Sequence, residues 1–141
     1  MSQLTIRNVN ILDGTGTEAF YGDVTIEDGR ITGVGDATGS VTNNTTEIDG
    51  DGLHLAPGFI DTHSHDDGAF FRHPGMEFKL AQGVTSVVTG NCGFSAVPAS
   101  PHMDSAKASG GILAGIQAGF TDLEGYFEAV LQNKPAINNM M

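Results

Sequence analysis

Residues 57–88 contain the pattern that most restricts the fold of this chain: a short strand, a short helix and a second strand in direct succession. Residues 59–65 are predicted to form a strand that runs into polar residues, and residues 76–82 are predicted to form a short helix that Gly83 stops. Residues 84–88, VTSVV, are mostly β-branched and too apolar on both faces for an exposed antiparallel strand, which is typical of a buried strand. This order predicts a βαβ unit with parallel strands and a right-handed crossover.

Apolar and polar residues alternate along the chain before this unit. One alternating stretch runs from Leu4 to Leu12 and is followed by a turn at residues 13–16. Asp28-Gly29 separates two further stretches and favours a hairpin, because both turn positions need positive φ. Residues 1–55 are therefore predicted to form a small antiparallel β-unit, with an exposed loop at residues 38–46.

The last part of the sequence predicts another helix and the opening of a third strand. The helix is expected from about Asp122 to residue 131, capped by Thr121 and stopped before Pro135. Residues 136–141 then resemble the start of a strand. The chain is expected to be α/β, with one part at residues 1–55 and another at residues 56–141.

Composition excludes several classes of partner. Seventeen acidic and six basic residues give a formal net charge of -11, whereas phosphate binding needs a basic surface. An anionic membrane is disfavoured for the same reason, and no apolar run approaches the roughly 18 residues of a spanning helix. The start lacks a signal-peptide pattern, and a single cysteine, Cys92, cannot form an intrachain disulfide. The sequence thus predicts a soluble cytoplasmic protein that binds neither nucleic acid nor membranes.

His63 and His65 are two residues apart on the first strand of the βαβ unit, so their imidazoles leave the same face and can approach one ion. A coincidental or hydrogen-bonded pair is the alternative. Cys92 follows the second strand, at the same carboxyl edge, where α/β folds hold their sites. Two imidazoles and a thiolate suit zinc at about 2.0–2.3 Å. A lone cysteine can also be an inert buried hydrophobe, but a turn at residues 91–93 favours a ligand role.

Three carboxylates near the histidines are further candidates. Asp61 lies on the face of the two histidines and is a candidate to orient a ligand, the alternative being a structural carboxylate. Asp66 and Asp67 follow the strand and are candidates to shape a substrate pocket or to hydrogen-bond an imidazole. Capping of a helix or loop is the alternative for both.

Two stretches resemble a known family. Residues 56–67, APGFIDTHSHDD, resemble the amidohydrolase superfamily in a form shared with dihydroorotases and hydantoinases. Residues 83–95, GVTSVVTGNCGFS, are more specific, because Gly-Asn-Cys-Gly after the second strand resembles the D-aminoacylases, the N-acyl-D-amino-acid deacylases. The resemblance covers residues 1–98 well and the remainder loosely.

The resemblance implies a (β/α)8 barrel of the TIM type, a flanking urease-like β-sandwich built from both chain termini, and zinc at the barrel mouth. By position, His63 and His65 match the first-strand histidines of the family, and Cys92 matches its metal-bridging cysteine. The aspartate of strand eight, which handles the proton, and two further histidines have no match in this chain. The catalytic residue therefore stays unassigned.

The implied activity is hydrolysis of the acyl amide of N-acyl-D-amino acids, which are small-molecule substrates, by water activated on zinc. Because a barrel takes about 250 residues, the chain is expected to be the amino-terminal part of an enzyme, inactive alone and dependent on the remaining barrel for stability. Another amidohydrolase that acts on cyclic amides is one alternative. A non-catalytic metal-binding or interaction fragment is the other.

Overall fold

The structure, a computed structural model, describes residues 3–36, 45–98 and 120–141, and the chain divides into two compact units, Met1–Pro57 and Gly58–Met141. Among the described residues, the first unit contains five strands: β1 (Gln3–Ile11), β2 (Phe20–Glu27), β3 (Arg30–Gly35), β4 (Thr45–Asp49) and β5 (His54–Leu55). They form one sheet in the order β3-β2-β1-β4, with β5 also paired to β1. Among all the residues that the structure describes, no helix is long and apolar enough to cross a membrane.

Strand pairing in the first unit follows the sequence prediction in part. Asp28 and Gly29 both have positive φ (48° and 76°), so the predicted hairpin between β2 and β3 is confirmed. The antiparallel pairing predicted for residues 1–55 holds for β1, β2 and β3, but β4 and β5 run parallel to β1. The reason is topological: the chain leaves β3 at one edge and re-enters beside β1, which needs a crossover and not a hairpin. The predicted loop ends by Thr45, and its residues 38–44 lie outside the described residues.

The second unit is α/β, as predicted. Its described elements are the strands β6 (Phe59–Asp61), β7 (Val84–Val88) and β8 (Asn138–Met140), and the helices α1 (Ala69–Arg72), α2 (Glu77–Leu80) and α3 (Leu123–Gln132). The strands pair in the order β6-β7-β8 and are all parallel, which confirms the βαβ unit and the third strand. Helix α2 is shorter than expected, because Met76 has a left-handed backbone (φ 45°) and serves as its N-cap.

The N-cap of α3 differs from the prediction. The backbone of Asp122 is extended, and its side chain accepts the N–H of Gly125 at 2.9 Å, so Asp122 is the cap. The predicted cap, Thr121, instead donates its hydroxyl to the carboxylate of Asp122 at 3.1 Å. Asp122 directly precedes the first helical residue, so its side chain occupies the N-cap position and reaches the N–H of Gly125, whereas Thr121 lies one residue too early.

A buried cluster joins the helices of the second unit to β7. Its members are fully or almost fully buried apolar and aromatic side chains: Ala69, Phe70, Met76, Val87, Ala96, Val97, Tyr126, Val130 and Ile137. Val87 from the central strand and Tyr126 from α3 are both 0% exposed. This core fixes the carboxyl edge of the sheet, at which the polar residues of interest lie.

Two neighbouring residues of α3 provide a test of this core. Val130 is 2% exposed and Leu131 is 68% exposed. Val130→Ala is expected to lower the free energy of unfolding by about 2 kcal/mol, because it removes buried methyl groups and leaves a cavity. Leu131→Ala is expected to change it by less than about 0.5 kcal/mol. Urea denaturation measures both, and equal losses would contradict this packing.

Candidate metal centre

The carboxyl ends of β6 and β7 bring two histidines and a cysteine together. The potential ligand atoms of His63, His65 and Cys92 all lie within 4.8 Å of one another. Nε2 of His63 is 3.0 Å from Sγ of Cys92, and the two imidazoles meet edge to face with their centroids 5.5 Å apart. His63 and Cys92 are exposed and His65 is half-buried. The structure therefore juxtaposes the three residues that the sequence predicts as ligands.

The histidines do not lie within the strand itself. β6 ends at Asp61, because the carboxylate of Asp61 accepts the backbone N–H of His63 at 3.2 Å and turns the chain there. The N–H of Ser64 still donates to the carbonyl of Val88 at 2.9 Å, which keeps the segment beside β7. The strand predicted over residues 59–65 is thus shorter, but both imidazoles still lie next to Cys92.

The donor set suits a transition-metal ion. Donor atoms bound tetrahedrally at 2.0–2.3 Å lie about 3.5 Å apart, which is compatible with the spacing of these three side chains. Nδ1 of His65 is buried and has no hydrogen-bond partner among the described residues. Because a buried polar atom without a partner is costly, this nitrogen is a further indication that the cluster takes a ligand.

Cys92 lies in a tight loop with an unfavourable backbone conformation that neighbouring contacts must stabilise. Its φ is 57°, in the left-handed region that few residues other than glycine adopt, and Gly90 and Gly93 on either side have φ of 75°. The side-chain amide of Asn91 donates to the carbonyls of Val88 (2.9 Å) and Ser64 (3.2 Å). Asn91 thereby connects the loop to both strand ends. Sequence reasoning missed this role, although its position next to Cys92 was a signal.

Lys79 of α2 lies between two of the candidate carboxylates. Its Nζ is 2.6 Å from Oδ2 of Asp61 and 2.9 Å from Oδ2 of Asp66. Burial acts to lower the pKa of Lys79, but the hydrogen bonds to Asp61 and Asp66 outweigh it and raise this pKa. The hydrogen bond from Lys79, followed by the one from the His63 backbone, lowers the pKa of Asp61. Asp66 also accepts the hydroxyl of Ser64.

The structure thus places Asp61 and Asp66 against a cation and the backbone of the histidine segment. Asp61 contacts the backbone of His63, as a residue that orients this side chain would, and neither carboxylate is hydrogen-bonded to an imidazole among the described residues. Sequence reasoning did not single out Lys79, because it lies 18 residues from Asp61 and only the crossover brings the two side chains together.

Asp67 is fully buried beneath the Cys92 loop. One carboxylate oxygen accepts the N–H of Ala96 at 3.0 Å, and the other is 3.5 Å from the N–H of Gly90. The backbone carbonyl of Asp67 accepts the hydroxyl of Tyr126 at 3.1 Å. These contacts match the loop-capping alternative and not a residue that lines an open pocket.

A chain of buried and partly buried hydrogen bonds extends from Asp67 to β8. The Tyr126 hydroxyl accepts the side-chain amide of Asn139 at 3.1 Å, and the Thr89 hydroxyl donates to the same side chain at 3.1 Å. Burial raises the pKa of Tyr126, and the negative charge of Asp67 raises it further, so Tyr126 stays a hydroxyl donor. This network ties the ends of β7 and β8 to α3.

Comparison with known proteins assigns the family. The model of the amidohydrolase family matches residues 46–123, a segment that includes all three clustered side chains. The chain therefore belongs to the amidohydrolase family, as its sequence motifs predict.

Its relatives include deacylases of N-acyl-D-amino acids, in agreement with the narrower resemblance. The chain is 41% identical to N-acyl-D-glutamate deacylase of Alcaligenes xylosoxydans xylosoxydans over 96% of its length and 27% of that protein. It is 47% identical to N-acyl-D-aspartate deacylase of the same organism over 67% of its length and 19% of that protein. The chain thus spans about a quarter or less of these relatives.

A solved structure is similar as well. The crystal structure of N-acyl-D-glutamate deacylase from Bordetella bronchiseptica, in complex with zinc and a phosphonate mimic of the tetrahedral reaction intermediate, matches with a TM-score of 0.82 and 39% identity. The match covers 96% of this chain and 28% of that one.

The ion-pair arrangement predicts an unequal response of two lysines. Lys79→Met leaves two partly buried carboxylates without their cation and is expected to lower the free energy of unfolding by about 1 kcal/mol. Lys134→Met, the same change at an exposed position without an ion pair among the described residues, is expected to have little effect. Chemical denaturation of both variants measures the difference, and similar stabilities would show that the Lys79 contacts contribute nothing.

Proposed function

We propose that this chain supplies part of the zinc centre of an enzyme that hydrolyses the acyl amide of N-acyl-D-amino acids. The observation that carries the proposal is the convergence of His63, His65 and Cys92 within 4.8 Å at one edge of a parallel sheet. The similarity to a zinc-containing N-acyl-D-glutamate deacylase over nearly the whole chain supports both the metal and the class of substrate.

Within this proposal the chain contributes ligands and their supports. The imidazoles of His63 and His65 and the thiolate of Cys92 would hold the ion, and Asn91 holds the loop of Cys92 against Val88 and Ser64. When bound there, zinc would polarise the amide carbonyl and lower the pKa of bound water far enough to make a nucleophile near neutral pH. The proton-handling aspartate that the family resemblance implies has no match in this sequence, and no residue here is assigned to that step.

The two units are proposed to be parts of larger domains. We infer that residues 56–141 open a (β/α)8 barrel and that residues 1–55 belong to a urease-like β-sandwich. Phe59 and Ile60 of β6 are 61% and 58% exposed, although parallel strands are ordinarily covered on both faces. Further barrel elements are expected to cover them and to stabilise this part of the chain. A cytoplasmic location is proposed from the single cysteine.

Activity of the full-length gene product tests the substrate class. With zinc supplied, it is expected to release amino acid from N-acyl-D-glutamate, N-acyl-D-aspartate or neutral N-acyl-D-amino acids, and much less from the L-enantiomers. Cys92→Ala is expected to lower kcat/KM at least about 100-fold, since even outer contacts of a metal ligand are worth 10- to 100-fold. Hydrolysis of cyclic amides alone, such as dihydroorotate or hydantoins, would replace this substrate class with the cyclic-amidase alternative.

Metal analysis of the 141-residue chain tests the alternative of a self-sufficient metal-binding module. Three ligands without further donors make a weak site, so dialysis is expected to remove most of the added zinc. The residual affinity is expected to depend on His63, His65 and Cys92 and to be unaffected by His73→Ala, a histidine outside the cluster. Tight stoichiometric zinc after dialysis would instead favour the module.

A further inference from the structure

We infer that Asp67 is a positioning residue for Cys92. Its buried carboxylate fixes both ends of the loop at residues 90–96 and so holds the thiol against the two imidazoles. The inference rests on the proposed metal centre, to which it adds a residue that acts through Cys92 and not on the ion.

The geometry of the carboxylate carries the inference. Each oxygen of Asp67 faces one backbone N–H group: that of Ala96 at 3.0 Å and that of Gly90 at 3.5 Å. Gly90 lies two positions before Cys92, and Ala96 lies four positions after it. Asp67 is itself two residues from His65, so one side chain joins the histidine segment to both ends of the cysteine loop.

The tip of the loop is exposed and is covered little by packing: Phe94 meets the His65 ring edge to face, with the ring centroids 6.0 Å apart. Cys92, Gly93 and Phe94 are exposed, whereas Ala96 is 1% and Asp67 0% exposed. The left-handed backbone of Cys92 is unfavourable for a residue with a side chain and persists only where its surroundings impose it. The position of the thiol therefore depends on how firmly the buried ends of the loop are held.

A carboxylate is the side chain that this position requires. Both of its oxygens are acceptors, and hydrogen bonds to an ionised acceptor are stronger than those between neutral groups. The N–H of Ala96 has no access to water, so loss of its acceptor leaves a buried donor without a partner. Asparagine has the same shape but replaces one acceptor oxygen with an NH₂ group, which would face a backbone N–H.

The support beneath Asp67 is independent of the loop. Tyr126, also 0% exposed, donates its hydroxyl to the backbone carbonyl of Asp67 at 3.1 Å and is anchored in α3. The carboxylate thus projects from a fixed point of the core toward the loop.

The test compares the wild-type full-length protein with Asp67→Asn and with Val130→Ala, a control that weakens the core without touching the loop. In the metal-free protein, hydrogen exchange at the amides of Ala96 and Gly90 is measured relative to the amide of Val87, a core residue of β7. D67N keeps a single acceptor oxygen, so exchange is expected to accelerate by about 10- to 100-fold relative to Val87 at whichever of the two amides faces its NH₂ group. V130A is expected to accelerate exchange at all three amides together.

Cobalt(II) provides a second readout that a merely structural role would not move. The thiolate-to-cobalt charge-transfer band, identified as the band that Cys92→Ser removes, is expected to fall at least twofold per bound cobalt in D67N. It is expected to keep its intensity in V130A.

Separate outcomes overturn the two proposals. A full charge-transfer band in D67N, or exchange at both Ala96 and Gly90 that follows Val87, contradicts the role of Asp67 and leaves the metal centre intact. The role of Asp67 is also contradicted if the Ala96 amide of the wild type exchanges as fast as a loop amide without a hydrogen bond. This measurement does not require D67N to fold. A wild-type cobalt protein without the band removes Cys92 as a ligand, and with it both the proposed centre and the inference.

Discussion

The parallel pairing of β6 with β7 is the constraint on which the rest of the site depends. Parallel strands end at the same edge of a sheet, so residues almost 30 positions apart in sequence become neighbours there. His63 and His65 follow one strand end and Cys92 follows the other. Neither segment holds all three donors alone. The apolar core around Val87 and Tyr126 fixes this edge by packing the crossover helices against β7.

The sequence predicts well that His63, His65 and Cys92 come together, and it predicts poorly the contacts that support them. A His-x-His pair after a short strand is a local pattern, and the position of Cys92 follows from the βαβ topology alone. The contacts of Lys79, Asn91 and Asp67 depend instead on how a helix, a loop and a strand end pack in three dimensions. Local spacing marks Asn91 as a neighbour of Cys92 and offers loop capping as one alternative for Asp67, but it does not identify the partners of the three residues, which only the structure gives.

In the fold, too, features encoded by adjacent residues are predicted, and features that depend on three-dimensional packing are not. The Asp28-Gly29 hairpin is predicted because its turn chemistry is contained in two adjacent residues. The parallel pairing of β4 with β1 is not, because strand direction depends on a connection that crosses the sheet. The N-cap of α3 is an intermediate case: Thr121 and Asp122 are both competent capping residues, and the extended backbone of Asp122 decides between them.

The exposed side chains of the site and the residues that hold them in position are different residues. In the proposed centre, donor atoms that bind an ion and act near a substrate must be reachable, and His63 and Cys92 are exposed. The polar groups that hold their segments are less accessible: Asp67 is fully buried, and Lys79 and Asp61 are partly buried. Asp67 holds the ends of the cysteine loop, and Lys79 and Asp61 hold the turn that carries the histidines. Residues that touch no ion are thereby placed to affect both the stability of this unit and the geometry of its donors.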